Sequence, residues 1–184
     1  MGKLNVFNFI SLDGYYKDLN NSIDWHQHGQ EEREFSANNL AHDSILLFGR
    51  VTYEMMASWW PSQNAIDMMP DVANGMNGAE KIVCTNTLQT AEWQNTRIIS
   101  GDILTQIAEL KQSSAKDITI LGSGSIVTQL AEAGLIDTYQ LMIDPVAIGN
   151  GTSVFKGMQR QLNLKLTDTR SFKSGTVLLS YQAI

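Results

Sequence analysis

The chain has 184 residues, 43% hydrophobic and 17% charged, with a formal net charge of -6. That length supports one domain over residues 1–184 with a sizeable core, and no run approaches the ~20 apolar residues of a membrane span. The acidic balance excludes an extended nucleic-acid face, which needs a basic surface, and the single cysteine, Cys84, excludes an internal disulfide.

The start, MGKLNVFNFI, shows no basic-then-apolar leader, and Met-Gly is not followed by Ser or Thr at the sixth position. The expectation is a cytoplasmic protein without a myristoyl anchor. Residues 4–12 are apolar apart from Asn5 and Asn8 and read as a first strand, which Ser11-Leu12-Asp13-Gly14 ends. Ligands gather at strand ends in open α/β sheets, which makes Asp13 a candidate. An ordinary Asp-Gly turn needs the same pair for geometry alone. Residues 15–29 are polar and read as a loop. Within it, Trp25 either folds back on the core or lines a pocket. His26-x-His28 has a spacing that serves metals, but only His42 stands besides them, and no metal is expected. Residues 30–42 predict a surface helix whose Glu31, Glu32 and Glu34 most simply form a solvated face; the alternative is that one of them points into a cleft and manages a proton.

Residues 44–48 read as a second, buried strand. Gly49-Arg50-Val51-Thr52-Tyr53-Glu54 follows and starts a helix. Cations avoid a helix N-terminus because the dipole is positive there. Arg50 makes more sense if it answers a phosphate; an exposed arginine is the alternative. Residues 61–78 read as irregular with one helical turn. Residues 81–84 and 96–99 are a third and a fourth strand, ending in Thr85-Asn86-Thr87 and Ser100-Gly101-Asp102. Cys84 lies in an apolar run, where a buried, inert thiol is expected. Asp102 opens a helix with Ile103, Leu104, Ile107 and Leu110 at helical spacing.

Residues 118–121 are a fifth strand, followed at once by Gly122-Ser123-Gly124-Ser125 and an amphipathic run from Ile126 to a stop at Gly134. Glycines let a backbone approach a ligand, and a helix N-terminus offers N–H groups to an anion. Ser125 is placed to cap the helix. A phosphate seat and a well-capped tight turn both fit this stretch. Residues 137–143 alternate as a sixth strand, 144–151 form a long turn, and 162–172 with 176–182 predict a terminal hairpin around Lys173-Ser174-Gly175.

Strand-helix alternation followed by antiparallel strands describes an α/β layer with a mixed sheet. Parallel strands would bring the turns after residues 48, 84, 99 and 121 to one edge, where two helix N-termini suit a diphosphate. The Rossmann fingerprint and a Walker lysine are both absent.

Ser11-Leu12-Asp13-Gly14, Ser22-Ile23-Asp24-Trp25, the run Phe48-Gly49-Arg50-Val51-Thr52-Tyr53-Glu54 and Leu121-Gly122-Ser123-Gly124-Ser125 together resemble the dihydrofolate-reductase-like family. The similar branch is the C-terminal reductase domain of bacterial riboflavin biosynthesis. The likeness spans nearly the whole chain, including Pro145 and Gly149-x-Gly151. It implies a three-layer α/β fold: a mixed, mostly parallel sheet of about eight strands, flanking helices and a C-terminal antiparallel hairpin. It implies NADPH, with Gly49, Arg50 and Thr52 at its phosphates and Thr85 and Asn86 near the adenosine 2′-phosphate. Leu121, Gly122, Ser123, Gly124, Ser125 and Ile126 would face the diphosphate and nicotinamide. Asp13, Trp25 and Tyr53 would border a small-molecule substrate, Asp13 orienting it or relaying a proton. A homodimer is a further expectation.

The chain departs from the family twice. Ser123 stands where dihydrofolate reductases have the second of two glycines joined by a cis peptide, and Thr138 follows Asp137 where the riboflavin branch carries an acidic pair. Two function classes follow: an NADPH-dependent reductase acting on a pterin-, pyrimidine- or flavin-precursor-like substrate, or a ligand-binding or oligomeric protein that keeps the fold without turnover.

Overall fold

The computed structural model describes residues 1–27 and 29–184. In chain order the elements are β1 (Leu4–Ser11), β2 (Tyr15–Lys17), α1 (Gln30–Ala41), β3 (Ile45–Gly49), α2 (Arg50–Trp59), α3 (Gln63–Met68), α4 (Pro70–Gly78), β4 (Glu80–Cys84), β5 (Thr96–Ile99), α5 (Ile103–Ser113), β6 (Ile118–Leu121), α6 (Gly124–Glu132), β7 (Thr138–Asp144), β8 (Thr152–Ser153), β9 (Leu164–Ser171) and β10 (Val177–Ala183).

Successive side chains of a strand point to opposite faces, so each inner strand feeds two cores. β3 sends Ile45 and Leu47 to one and Leu46 and Phe48 to the other. All five of its residues are buried, as an inner parallel strand requires. The first core sits between the sheet and α5 and α6, with Ile107, Val127 and Leu130 at its centre. The second sits beneath α2, α3 and α4, around Tyr53, Trp60, Ala73 and Met76. The eight-stranded sheet runs β5-β4-β3-β6-β1-β7-β10-β9. Neighbours from β5 to β7 are parallel, and β10 lies antiparallel between β7 and β9. This is the expected three-layer α/β arrangement with a C-terminal hairpin.

Three local expectations change. Glu32, expected on a solvated face of α1, is 1% exposed and accepts from the Ser174 hydroxyl. Residues 61–78 form two helices. Ser62 caps α3 by accepting from the Ala65 N–H, and Pro70 takes the first turn of α4, where its missing N–H costs nothing. Gly75 lowers helix propensity, which hid α4, but the packing demands it. A Cβ there would lie 2.7 Å from Cβ of Leu40 on α1. Residues 15–17, expected in a loop, pair as β2 with β8 in a separate small ribbon.

α4 ends on a buried cation. Lys81 is fully buried, and its ammonium donates to the carbonyls of Met76, Asn77 and Ala79 at 2.9, 3.1 and 2.6 Å. It also lies 4.6 Å over the Trp93 ring. The charge meets the negative end of the helix dipole, while burial pushes the ammonium down to about 8. Among the described residues, no helix is long and apolar enough to cross a membrane.

Candidate active site

Because β3, β4, β6 and β1 are parallel, their C-terminal ends share one sheet edge. A cavity of about 1360 Å³ opens along that edge and extends over the sheet face below α1. Gly49, Arg50, Thr52, Thr85, Asn86, Leu121, Gly122, Ser123, Gly124, Ser125 and Ile126 all border it.

The loops after β3 and β6 are joined directly. Ser123 Oγ accepts from the Gly49 N–H at 2.7 Å. Ser123 holds a left-handed backbone, φ 59° and ψ 60°, a conformation that costs a non-glycine residue about 1–2 kcal/mol. The hydrogen bond offsets part of that. Gly122 is also left-handed, at φ 61°, and a Cβ on it would lie 3.1 Å from Thr52 Cγ2. A Cβ on Gly124 would lie 2.9 Å from the Tyr16 ring. The two loops and β2 therefore approach as closely as backbone allows. The Gly122–Ser123 peptide is trans.

Ser125 does not cap the helix. α6 begins at Gly124 with Ser123 as its N-cap, and no side chain caps it; Gly49 likewise leaves α2 uncapped. The hydroxyl of Ser123 is spent on Gly49. Both helix N-termini border the cavity; in α6 the first N–H bonded along the helix is that of Ile126, to the Ser123 carbonyl at 2.9 Å, which leaves the N–H groups before it without an intrahelical acceptor. Arg50 opens α2 at the rim, about half exposed, and its guanidinium donates to both carboxylate oxygens of Glu54 at 3.0 and 2.9 Å.

After β4, Thr85 Oγ1 accepts from the N–H groups of Thr87 and Leu88 at 3.1 and 3.2 Å and fixes that turn. Asn86 Oδ1 accepts from the Gly101 N–H at 2.8 Å. Ser100 and Gly101 themselves do not border the cavity. Cys84 does, but burial pushes its thiol up to about 12, so it stays protonated and unreactive.

The residues expected at the substrate do not border this cavity. Asp13 accepts from the Ser11 hydroxyl at 2.6 Å and from the N–H groups of Ile148 and Gly149 at 3.2 and 2.7 Å. These bonds, the Ser11 hydroxyl first, hold its carboxyl below the usual range. They clamp the β1 turn to the turn after β7, outside the cavity wall. Tyr53 is 4% exposed, and its hydroxyl accepts from the Trp93 N–H at 3.1 Å, inside the second core. Trp25 is half-buried, edge-on to His26 and outside the wall. Asp137 is held by Lys111 at 2.7 Å and by the Leu4 N–H at 2.8 Å, also outside it.

His26, half of a pair that the sequence did not suggest, borders the cavity instead. His26 Nδ1 lies 2.9 Å from Asp144 Oδ2, both side chains nearly inaccessible, and the imidazole stacks on Phe9 with centroids 3.8 Å apart. The partners are 118 residues apart, so no spacing signal could join them. His28 lies outside the described residues. Among the described residues, no group of three or more His, Cys, Asp or Glu is arranged for a metal.

Residues 2–178 match the family model of the RibD C-terminal domain. The chain is 28% identical over 172 residues to the uncharacterized protein YyaP of Bacillus subtilis (strain 168), covering 94% of this chain and 90% of that protein. A Shewanella sp. PV-4 protein assigned to riboflavin biosynthesis superposes with a TM-score of 0.79 at 19% identity, over 99% of both chains. Dihydrofolate reductase from Enterococcus faecalis, solved with NADP(H), superposes with a TM-score of 0.69 at 14% identity, covering 99% of this chain and 96% of that one.

Proposed function

The chain belongs to the RibD C-terminal domain family, and from that membership we propose that it is an NADPH-dependent reductase acting on a C=N or C=O bond of a small conjugated substrate. The observation that carries this reading is the convergence of two side-chain-uncapped helix N-termini, Arg50 and three loops on one elongated cavity. A dinucleotide needs this set: N–H groups for a diphosphate, a guanidinium for a phosphate and close-approaching backbone for a flat ring. The donor set fits the cofactor, and the E. faecalis relative of the same fold was solved with NADP(H).

Arg50, Thr52 and the first turn of α2 would hold phosphate oxygens. Thr85 and Asn86 would border the adenosine 2′-phosphate. The segment 121–126 would seat the diphosphate and the nicotinamide. When bound, NADPH supplies a hydride to the C=N or C=O carbon, and a proton from solvent completes the new N–H or O–H. The chain contributes orientation and exclusion of water. Substrate contact is assigned to the cavity wall rather than to Asp13, Trp25 and Tyr53. A homodimer stays part of this proposal.

The test is a titration of tryptophan emission with NADPH and with NADH, paired with thermal shifts. Saturable quenching and a raised melting temperature with NADPH are expected. Neither response at millimolar cofactor would overturn the reading.

A further inference from the structure

The cavity is larger than a single drug-sized ligand needs. Ordinary small-molecule sites occupy about 300–1,000 Å³, against about 1360 Å³ here. Beyond the cofactor loops its wall includes an apolar stretch, Met55 and Trp59 of α2, Met68 and Met69 at the α3–α4 junction and Leu40 of α1, beside uncharged polar residues such as Asn39, Thr119 and Gln140. Thioethers are soft and polarizable and shape themselves to flat rings.

This lobe offers little to a second anion. The lysines and arginines among the described wall residues are Lys17 and Arg50. Lys17 donates to Asn21 Oδ1 at 2.6 Å and lies over the Tyr16 ring. Arg50 is held by Glu54 and belongs to the cofactor in the reading above. Of the described histidines in the wall, His26 is bound to Asp144 and His42 is exposed just after α1. Asp24 and Asp117 add negative charge to the same wall. Burying a phosphate or carboxylate here without a fresh cation would forfeit its hydration for nothing.

A neutral donor is present on α1. The buried hydroxyl of Ser36, which borders the cavity from α1, has no partner among the described residues. A buried donor without an acceptor is costly and calls for a ligand or a water. A carbonyl oxygen or an imine nitrogen would satisfy it without bringing charge. Asn8 also has no acceptor for its Nδ2 among the described residues, but its side chain shares the β1 face of Leu4, Val6 and Ile10, across the sheet from this lobe.

We propose that this lobe takes an uncharged, planar, conjugated carbonyl or imine compound, and not a phosphorylated or carboxylate-bearing one. The proposal rests on the reductase reading for its reaction but on the wall alone for its ligand. The probes are menadione, a flat neutral dicarbonyl, and uridine 5′-monophosphate, a flat heterocycle carrying a phosphate. Each is titrated into the full chain, with and without NADPH, by calorimetry and tryptophan quenching. Menadione is expected to bind saturably and the nucleotide not to bind. Met55→Glu, which sets a carboxylate against the apolar ligand, should weaken menadione about tenfold or more. Ser36→Ala should weaken it as well. Met55→Gln serves where Met55→Glu does not melt cooperatively. Nucleotide binding equal to or tighter than menadione overturns the proposal, as does menadione binding that is absent or indifferent to both sites. The NADPH titration separates the two readings. Menadione bound without any NADPH response removes the reductase and leaves the lobe as assigned. NADPH bound with the nucleotide preferred does the reverse.

Discussion

The hydroxyl of Ser123 and the backbone N–H of Gly49 are hydrogen-bonded at 2.7 Å across 74 residues of sequence. One bond thus ties the loop after β6 to the loop after β3. Both loops present helix N-termini to the same cavity.

Removing that hydroxyl leaves the buried Gly49 N–H unpaired, at about 1–3 kcal/mol. Ser123→Ala should lose that much unfolding free energy in urea titrations and weaken NADPH, because the loops no longer hold each other. Ser123→Gly loses the same bond but relieves the left-handed backbone, worth about 1–2 kcal/mol. It should be the more stable of the two variants. Equal stabilities would mean that the backbone of Ser123 is not strained.

Arg50 and Glu54 form an exposed pair about half accessible on each side. Such pairs contribute about 0–1 kcal/mol, less than the ~1.5–3 kcal/mol of a hydrogen bond to a charged group. A phosphate should therefore take Arg50 from Glu54. Arg50→Ala should weaken NADPH by about 1.5–3 kcal/mol, and Glu54→Ala should tighten it slightly, both read from binding isotherms at low salt. Weaker NADPH binding in Glu54→Ala would remove Arg50 from the phosphate site.

Asp13 is expected to act on stability rather than on the cofactor. Its carboxyl is lowered in the folded chain, by the Ser11 hydroxyl first and then by the N–H groups of Gly149 and Ile148. A lowered carboxyl stabilises the fold above its unfolded value, near pH 4, and that stabilisation is lost as pH falls through the folded value. Asp13→Asn should melt earlier than the parent at pH 7, and the gap should close toward pH 2. NADPH affinity should not change. A variant as stable as the parent would return Asp13 to the list of substrate residues.

Lys81 carries the opposite dependence. Its folded value of about 8 lies below the unfolded value, near 10.4. Between those two values the unfolded chain holds more protons, so this group makes stability rise with pH from about 8 to about 10. Lys81→Met should flatten that rise in urea midpoints measured at pH 7 and pH 9.5. It should also cost about 1–3 kcal/mol at pH 7, since the carbonyls of Met76, Asn77 and Ala79 lose their donor.

The strands were legible because burial on one or both faces writes itself into a period of two or an unbroken apolar run, as at 45–49 and 118–121. The helices at 63–68 and 70–78 were less so. Gly75 argues against a helix locally, and only the approach of Leu40 explains why it is there. At the site, glycine, hydroxyl and arginine types after strand ends pointed to Arg50, Thr52 and the segment 121–126. Asp13, Trp25 and Tyr53, by contrast, stand outside the cavity wall. Asp13 sits at a strand end, as a ligand residue would, yet its bonds go to residues 11, 148 and 149.

By itself, then, the sequence determined where strands end and which backbone can approach a ligand, because those properties depend on neighbouring residues. Tertiary structure decided which way each polar side chain is spent. Ser123 turns to Gly49 rather than capping its helix, Tyr53 turns to Trp93, and His26 meets Asp144. A hydrogen bond is committed by distance in space, and partners 40 to 118 residues apart in the chain leave no local trace of each other.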